Sequence, residues 1–111
     1  MGEDLTQKRC IPCEGGTRPL SIPQIKKMQP QVPGWMVAGD YKSVSREYLF
    51  KDFKEAIAFV NEVADLSEFE GHHPDISIWY NKVNLDLSTH AIGGLSENDF
   101  ILAAKINQIR K

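Results

Sequence analysis

Two short runs in the second half of the chain leave little freedom in how it can fold. In the first, Ile76, Ile78 and Tyr80 alternate with Ser77, Trp79 and Asn81; in the second, Val83, Leu85 and Leu87 alternate with Asn84, Asp86 and Ser88. A period of two is the period of a strand, so each run predicts a strand with one apolar and one polar face. The link between them is short enough to imply a hairpin. A two-residue turn at Asn81 and Lys82 pairs Tyr80 with Val83, Ile78 with Leu85 and Ile76 with Leu87. Every apolar side chain then falls on one face. Asn suits the positive φ of such a turn and Lys is a weaker turn residue than Gly. The register therefore rests on the pattern.

Around this hairpin the chain alternates between helical and extended patterns. Ser21, Pro23 and Gln24 make a capping box with proline in the first turn, which predicts a short helix with Ile22, Ile25 and Met28 on one face. Pro30 and Pro33 end it. Residues 34–39, around Trp35, Met36 and Val37, predict a strand. Arg46, Tyr48 and Phe50 alternate with Glu47, Leu49 and Lys51 in a second, and the two form a hairpin. Asp52 and Glu55 cap a long helix whose stripe is Phe53, Ala56, Ile57, Val60, Val63 and Ala64. Glu68 and Glu70 fall near its C-terminal end, where carboxylates oppose the helix dipole, and Gly71 stops it. Ser96 and Asp99 cap a last helix that turns Phe100, Leu102, Ala103, Ile106 and Ile109 inward. The order α-β-β-α-β-β-α predicts an α+β fold, a four-stranded antiparallel sheet with helices packed on one face.

The 111 residues suffice for one domain with its own core. Pro12, Gly15, Gly16 and Pro19 break regular structure, so residues 1–20 are expected to be an extended N-terminal arm and residues 21–111 the folded domain. A formal charge of −2 argues against nucleic-acid binding as the main task. No apolar run approaches the roughly 18–20 residues of a membrane span, and the N-terminus lacks the apolar core of a secretion signal. The expected setting is the cytoplasm, away from membranes. Cys10 and Cys13 form the one CxxC, without the second Cys pair or His pair of a zinc ribbon and without the strand-then-helix context of a thioredoxin motif. They read as two thiols on the arm, with redox sensing or metal capture as the alternatives.

The chain has three histidines, His72, His73 and His90. Continuing the hairpin register outward sets His73 opposite His90, both on the polar face, with His72 adjacent. Cross-strand neighbours have Cβ atoms roughly 4.5–5.5 Å apart. Such a cluster has three readings: a coincidence of surface residues, a three-histidine metal site, or acid–base chemistry on a small molecule. Adjacent strand residues point to opposite faces, which weighs against convergence on a metal. Imidazole changes charge near neutral pH, which favours proton transfer.

At this point the sequence resembles a known family. Glu68-Phe69-Glu70-Gly71-His72-His73-Pro74, then Tyr80-Asn81-Lys82-Val83, Leu87-Ser88-Thr89-His90, Gly94-Leu95-Ser96 and Asp99 are similar to the pterin-4a-carbinolamine dehydratases. Glu68, His72, His73, Pro74, Tyr80, His90 and Asp99 each fill a slot at the family spacing. Two features depart from the pattern: Gly71 stands where animal members carry an Asp, and the CxxC arm is an extension that the animal form lacks.

The resemblance implies an α+β fold with a four-stranded antiparallel sheet, and an enzyme that dehydrates 4a-hydroxytetrahydropterin to quinonoid dihydropterin and water. That reaction, a hydro-lyase step that needs no metal or organic cofactor, recycles the tetrahydropterin of aromatic amino-acid hydroxylases. By the same resemblance His72 and His90 are acids serving the 4a-hydroxyl, and His73 binds the pterin and takes the N5 proton. Ser88 and Thr89 hold the pterin edge; at Gly71 the substrate contact of the animal Asp is either lost or made by the backbone. Glu68 and Asp99 belong to the substrate site or serve as helix-end acids. Trp79 shares the polar face with His73 and is a candidate for stacking on the pterin. Tyr80, on the apolar face, is expected in the core. The resemblance also implies a homodimer or homotetramer. The alternatives are a non-catalytic pterin- or protein-binding module, or a role in molybdopterin metabolism.

Overall fold

Two reciprocal capping boxes and one aspartate cap set where the helices of this chain begin. In the computed structural model, which describes residues 4–12 and 18–110, the Ser21 hydroxyl accepts from Gln24 N and the Gln24 side chain accepts from Ser21 N, starting α1 (Ile22–Met28). The Asp52 carboxylate accepts from Glu55 N at 2.9 Å and starts α2 (Phe53–Glu70). Asp99 accepts from Ser96 N at 2.9 Å and starts α3 (Glu97–Ile109). Each such cap is worth about 1 kcal/mol. Gly71 closes α2 at φ 68°, and an added Cβ would meet no atom within 4 Å, so the backbone angle alone calls for glycine there.

The strands are β1 (Met36–Val37), β2 (Val44–Leu49), β3 (Asp75–Trp79) and β4 (Lys82–Leu87), all antiparallel, in the order β1-β2-β4-β3. The α+β architecture and the order of elements agree with the sequence. Strand β4 lies inside the sheet, and Val83, Leu85 and Leu87 are completely buried. Tyr48 and Phe50, from β2 and its end, meet Phe59 of α2 with ring centroids 4.7 and 5.0 Å away. Such pairs add about 0.5–1.5 kcal/mol beyond burial and hold α2 on the sheet. Helix α3 is apolar around most of its circumference, from Phe100 to Ile106, because it is enclosed by its neighbours. It reaches β2 through Asn107, whose Oδ1 accepts from Trp35 Nε1, Arg46 and the Tyr48 hydroxyl.

Several expectations are corrected. The β3–β4 register pairs Ile78 with Val83 and Ile76 with Leu85, a slip of two residues, and the turn is Tyr80 and Asn81. The cause is a contact distant in sequence. Asn81 O accepts from Phe50 N at 2.8 Å and Asn81 Nδ2 donates to Phe50 O at 3.0 Å, which ties the turn to the end of β2. Tyr80 takes φ 50° in that turn and is exposed rather than in the core. A slip of two preserves parity, so the apolar face is unchanged. Strand β3 lies at the edge of the sheet, so Ile76 and Ile78 remain exposed on that face. In α2 the buried positions are Ala56, Phe59, Val63, Ser67 and Glu70, while Phe53 and Ala64 face outward.

The N-terminal segment is packed against the domain. Leu5 to Gln7 form a 3-10 turn against α3, Leu5 is buried in the core, and Leu5 N donates to the Gln31 side chain at 3.0 Å. Cys13 lies outside the described residues. Among the described residues no helix is long and apolar enough to cross a membrane.

Candidate active site

The end of α2 and the start of α3 meet beside the open end of the β3–β4 hairpin, and the histidines gather there. Gly71 N and His72 N both donate to Ser67 O, which turns the chain out of the helix and aims His72 toward α3. His72 Nε2 lies 2.6 Å from Asp99 Oδ1. Asp99 is fully buried, and its other oxygen accepts from the Thr89 hydroxyl at 2.8 Å and from Ser96 N. A carboxylate can only accept, so Nε2 is the protonated nitrogen of His72 in this network, and Nδ1 is the nitrogen left for a ligand. One residue thus caps α3 with one oxygen and orients a histidine with the other.

The next histidine makes a similar contact in a different setting. His73 Nε2 donates to Glu68 Oε2 at 2.5 Å on the surface of the same helix end. His90 enters from a 3-10 turn (His90–Ile92) that the paired Thr89 and Gly94 close, Thr89 N donating to Gly94 O at 2.8 Å. It is not opposite His73 on a strand ladder, because the slipped register ends before it. All three histidines nevertheless line one cavity of about 310 Å³, together with Gly71, Ser88 and Thr89. That volume lies at the small end of the usual range for ligand sites.

The remaining candidates divide by position. Glu68 and Asp99 reach the site through His73 and His72. Thr89 lines the cavity, but its hydroxyl is bonded to Asp99 and to Ser96 Oγ, so that group acts through Asp99. Trp79 pairs with Lys82 at the closed end of the hairpin, six residues from His73, a distance of roughly 20 Å along a strand. It is not among the residues lining the cavity. Ile11, Pro12, Ala91 and Asn98 do line it. Nothing in local periodicity marks them, since Ile11 and Asn98 are far apart in the chain. Among the described residues no group of three His, Cys, Asp or Glu side chains is placed to hold a metal ion.

A second buried carboxylate sits behind the site. Glu70 accepts from Cys10 N at 2.9 Å and from Arg9 Nε at 3.3 Å, and pairs with the Lys105 ammonium. Burial works against its charge, but the hydrogen bonds from Lys105 and Cys10 outweigh it and hold the carboxyl below its ordinary range. Burial, with the Glu70 charge adding to it, pushes the Cys10 thiol up to about 12. Such a thiol forms little thiolate at neutral pH, which makes it a poor nucleophile.

The chain is an α+β domain whose three histidines share one cavity beside the open end of a hairpin. Residues 18–109 match the model of the pterin 4 alpha carbinolamine dehydratase family. A protein of Nitrosospira multiformis, provisionally named pterin-4-alpha-carbinolamine dehydratase, is 50% identical over 107 residues, 96% of this chain and 93% of its own. A similarly named protein of Halorhodospira halophila is 44% identical over 95% of this chain and 96% of its own. Among solved structures, a transcriptional coactivator/pterin dehydratase of Brucella melitensis superposes with a TM-score of 0.79 at 30% identity, covering 85% of this chain and all of that one. A pterin dehydratase-like protein identified as a RuBisCO assembly factor of the alpha-carboxysome superposes at 0.60 with 25% identity, over 71% of this chain and 92% of its own. The chain belongs to the pterin 4 alpha carbinolamine dehydratase family.

Proposed function

We propose that the protein dehydrates 4a-hydroxytetrahydropterin to quinonoid dihydropterin and water, with the three histidines moving the protons. The observation that carries this reading is the meeting of His72, His73 and His90 at one cavity, with His72 fixed by buried Asp99. Hydroxide is a poor leaving group, so the 4a-oxygen must gain a proton as the C4a–O bond breaks. The N5 lone pair forms the new C4a=N5 bond and N5 loses its proton. The balance is one proton delivered to oxygen, one removed from nitrogen, and one water released.

His72 and His90 are the acids serving the hydroxyl, and His73 binds the pterin and takes the N5 proton. To act as an acid, His72 must carry a proton on Nδ1, the nitrogen facing the ligand; the Asp99 carboxylate at Nε2 fixes that orientation, as Glu68 does more weakly for His73. Ser88 and the Gly71 backbone are left to hold the polar pterin edge. Acid and base are each worth about 10²–10⁴-fold. No cofactor has a part in this scheme. The product would return to the tetrahydropterin pool of an aromatic amino-acid hydroxylase in the cytoplasm.

The test is the rate of quinonoid dihydropterin formation from freshly generated 4a-hydroxytetrahydropterin. Acceleration over the spontaneous rate is expected, with a loss of about a hundredfold or more in His73→Ala. Near-wild-type rates in both His72→Ala and His90→Ala would sink the acid assignments. The likeness to the RuBisCO assembly factor favours one second reading, a binding module on this fold. No acceleration by the wild type would bring that reading forward. The exposed edge strand β3, carrying Ile76 and Ile78, is where a second copy would add in a homodimer or homotetramer. Gel filtration showing only a 12.5 kDa species would refute the oligomer.

A further inference from the structure

The cavity has one wall that the histidine chemistry does not use. Ile11 and Pro12 line it beside His72, His73 and His90, although both precede the residues matched by the family model. The segment that brings them there is held at each residue. Ile11 N donates to Asn98 Oδ1 at 3.0 Å, and Asn98 Nδ2 donates back to Ile11 O. One side-chain amide thus satisfies both backbone groups of Ile11, as a neighbouring strand would. Cys10 N donates to Glu70 Oε1 and the Cys10 thiol to Asn98 O. Arg9 lies over the Phe69 ring at 4.1 Å. Asn98 and Glu70 are themselves buried, and they neighbour the two groups that matter most: Asn98 precedes Asp99, and Glu70 lies two residues before His72.

We propose that Ile11 is a specificity-determining residue of the pterin site, presented as an apolar wall by the clamp of Asn98 and Glu70. This rests on the reading that the cavity takes a 4a-hydroxytetrahydropterin. The Ile11 backbone is fixed, yet the residue is 69% exposed, so its apolar side chain is positioned without being covered by the protein. Neither Ile11 nor Pro12 offers a side-chain hydrogen-bonding group. The amide edge of a pterin would lose hydrogen bonds against such a wall, whereas the carbon substituent at C6 would gain burial. The wall therefore selects among pterins by that substituent and leaves the proton transfers alone.

The 111-residue chain and its Ile11→Ala variant are compared on two 4a-hydroxytetrahydropterins, one with a methyl group at C6 and one with a dihydroxypropyl chain. The side chain is exposed, so the variant is expected to fold; Tm checks this. The expected result is a KM raised roughly three- to tenfold for the longer substituent, with kcat within about twofold and a smaller discrimination between the two substrates. Asn98→Ala, which frees the segment, should shift the same ratio in the same direction. An active wild type whose KM ratio is unchanged in Ile11→Ala overturns the wall and leaves the dehydratase reading intact. If the wild type shows no turnover, equilibrium binding of 7,8-dihydrobiopterin and of 6-methyl-7,8-dihydropterin decides. Weaker and less selective binding by Ile11→Ala supports the wall without the catalysis. Equal binding by both proteins, or none by either, overturns it.

Discussion

His72 and His73 are adjacent in sequence, and each puts Nε2 on a carboxylate at about the same distance, yet their surroundings are opposite. The His72 side chain is 13% exposed and Asp99 not at all, whereas the His73 side chain is 57% exposed and Glu68 78%. Asp99 is further held by Thr89 and Ser96. An exposed pair is screened by water and salt and is worth about 0–1 kcal/mol. Removing one partner of a buried pair costs about 3–5 kcal/mol, because the other is left without solvent. The same chemistry therefore serves two ends. The buried pair fixes a ring in one orientation, and the exposed pair leaves a ring able to adjust to what binds it.

Three substitutions test the contrast between the two pairs. Asp99→Asn should have the largest effect, with kcat for dehydration falling about a hundredfold and stability about 2–4 kcal/mol, since an amide cannot accept on both sides as the carboxylate does. Steady-state kinetics and denaturant melts check it, and a kcat within threefold of wild type would erase the distinction. Glu70→Gln is intermediate and separates burial from histidine pairing, because Glu70 is buried but paired with Lys105. Its folded-state pKa is depressed, so the pair's stabilisation is present above the ordinary value of 4.5 and is lost as pH falls through the lower, folded-state value. Tm of the variant should lie below wild type at neutral pH, and the gap should close on acidification below pH 4.5; a gap that widens there contradicts the assignment. Glu68→Gln should matter least, by less than about 1 kcal/mol and about threefold in kcat. A loss equal to that of Asp99→Asn would show that exposure is no guide to the role of these carboxylates.

The fold was legible where local rules decide it. The cap residues Ser21, Asp52 and Ser96, the αL stop at Gly71 and the alternation in β4 each carry their structure within a few residues. The slipped turn was not legible, because Asn81 is bound by Phe50, thirty-one residues away. Nor was the exposure of Ile76, Ile78 and Tyr80, since burial on an apolar face depends on which strand lies at the edge. The site divides in the same way. The alternation alone brings the three histidines together through a register two residues away from the real one, and they still meet because the turn after Thr89, rather than the ladder, delivers His90. Glu68 and Asp99 looked alike as acids near helix ends; only the packing of α3 makes one buried and leaves the other in water. The contribution of Ile11 and Asn98 needs a contact across eighty-seven positions, which no local pattern encodes.

The two oxygens of Asp99 have a consequence for how the molecule can fail. One oxygen holds the first turn of α3 and the other orients the His72 ring, so neither can be lost alone. A fluctuation that unravels that turn, of the kind amide hydrogen exchange detects, also turns His72 loose. Partly opened molecules would then be silent toward substrate rather than sluggish or indiscriminate, and heat or denaturant would lower the number of working molecules before it changed what each of them does.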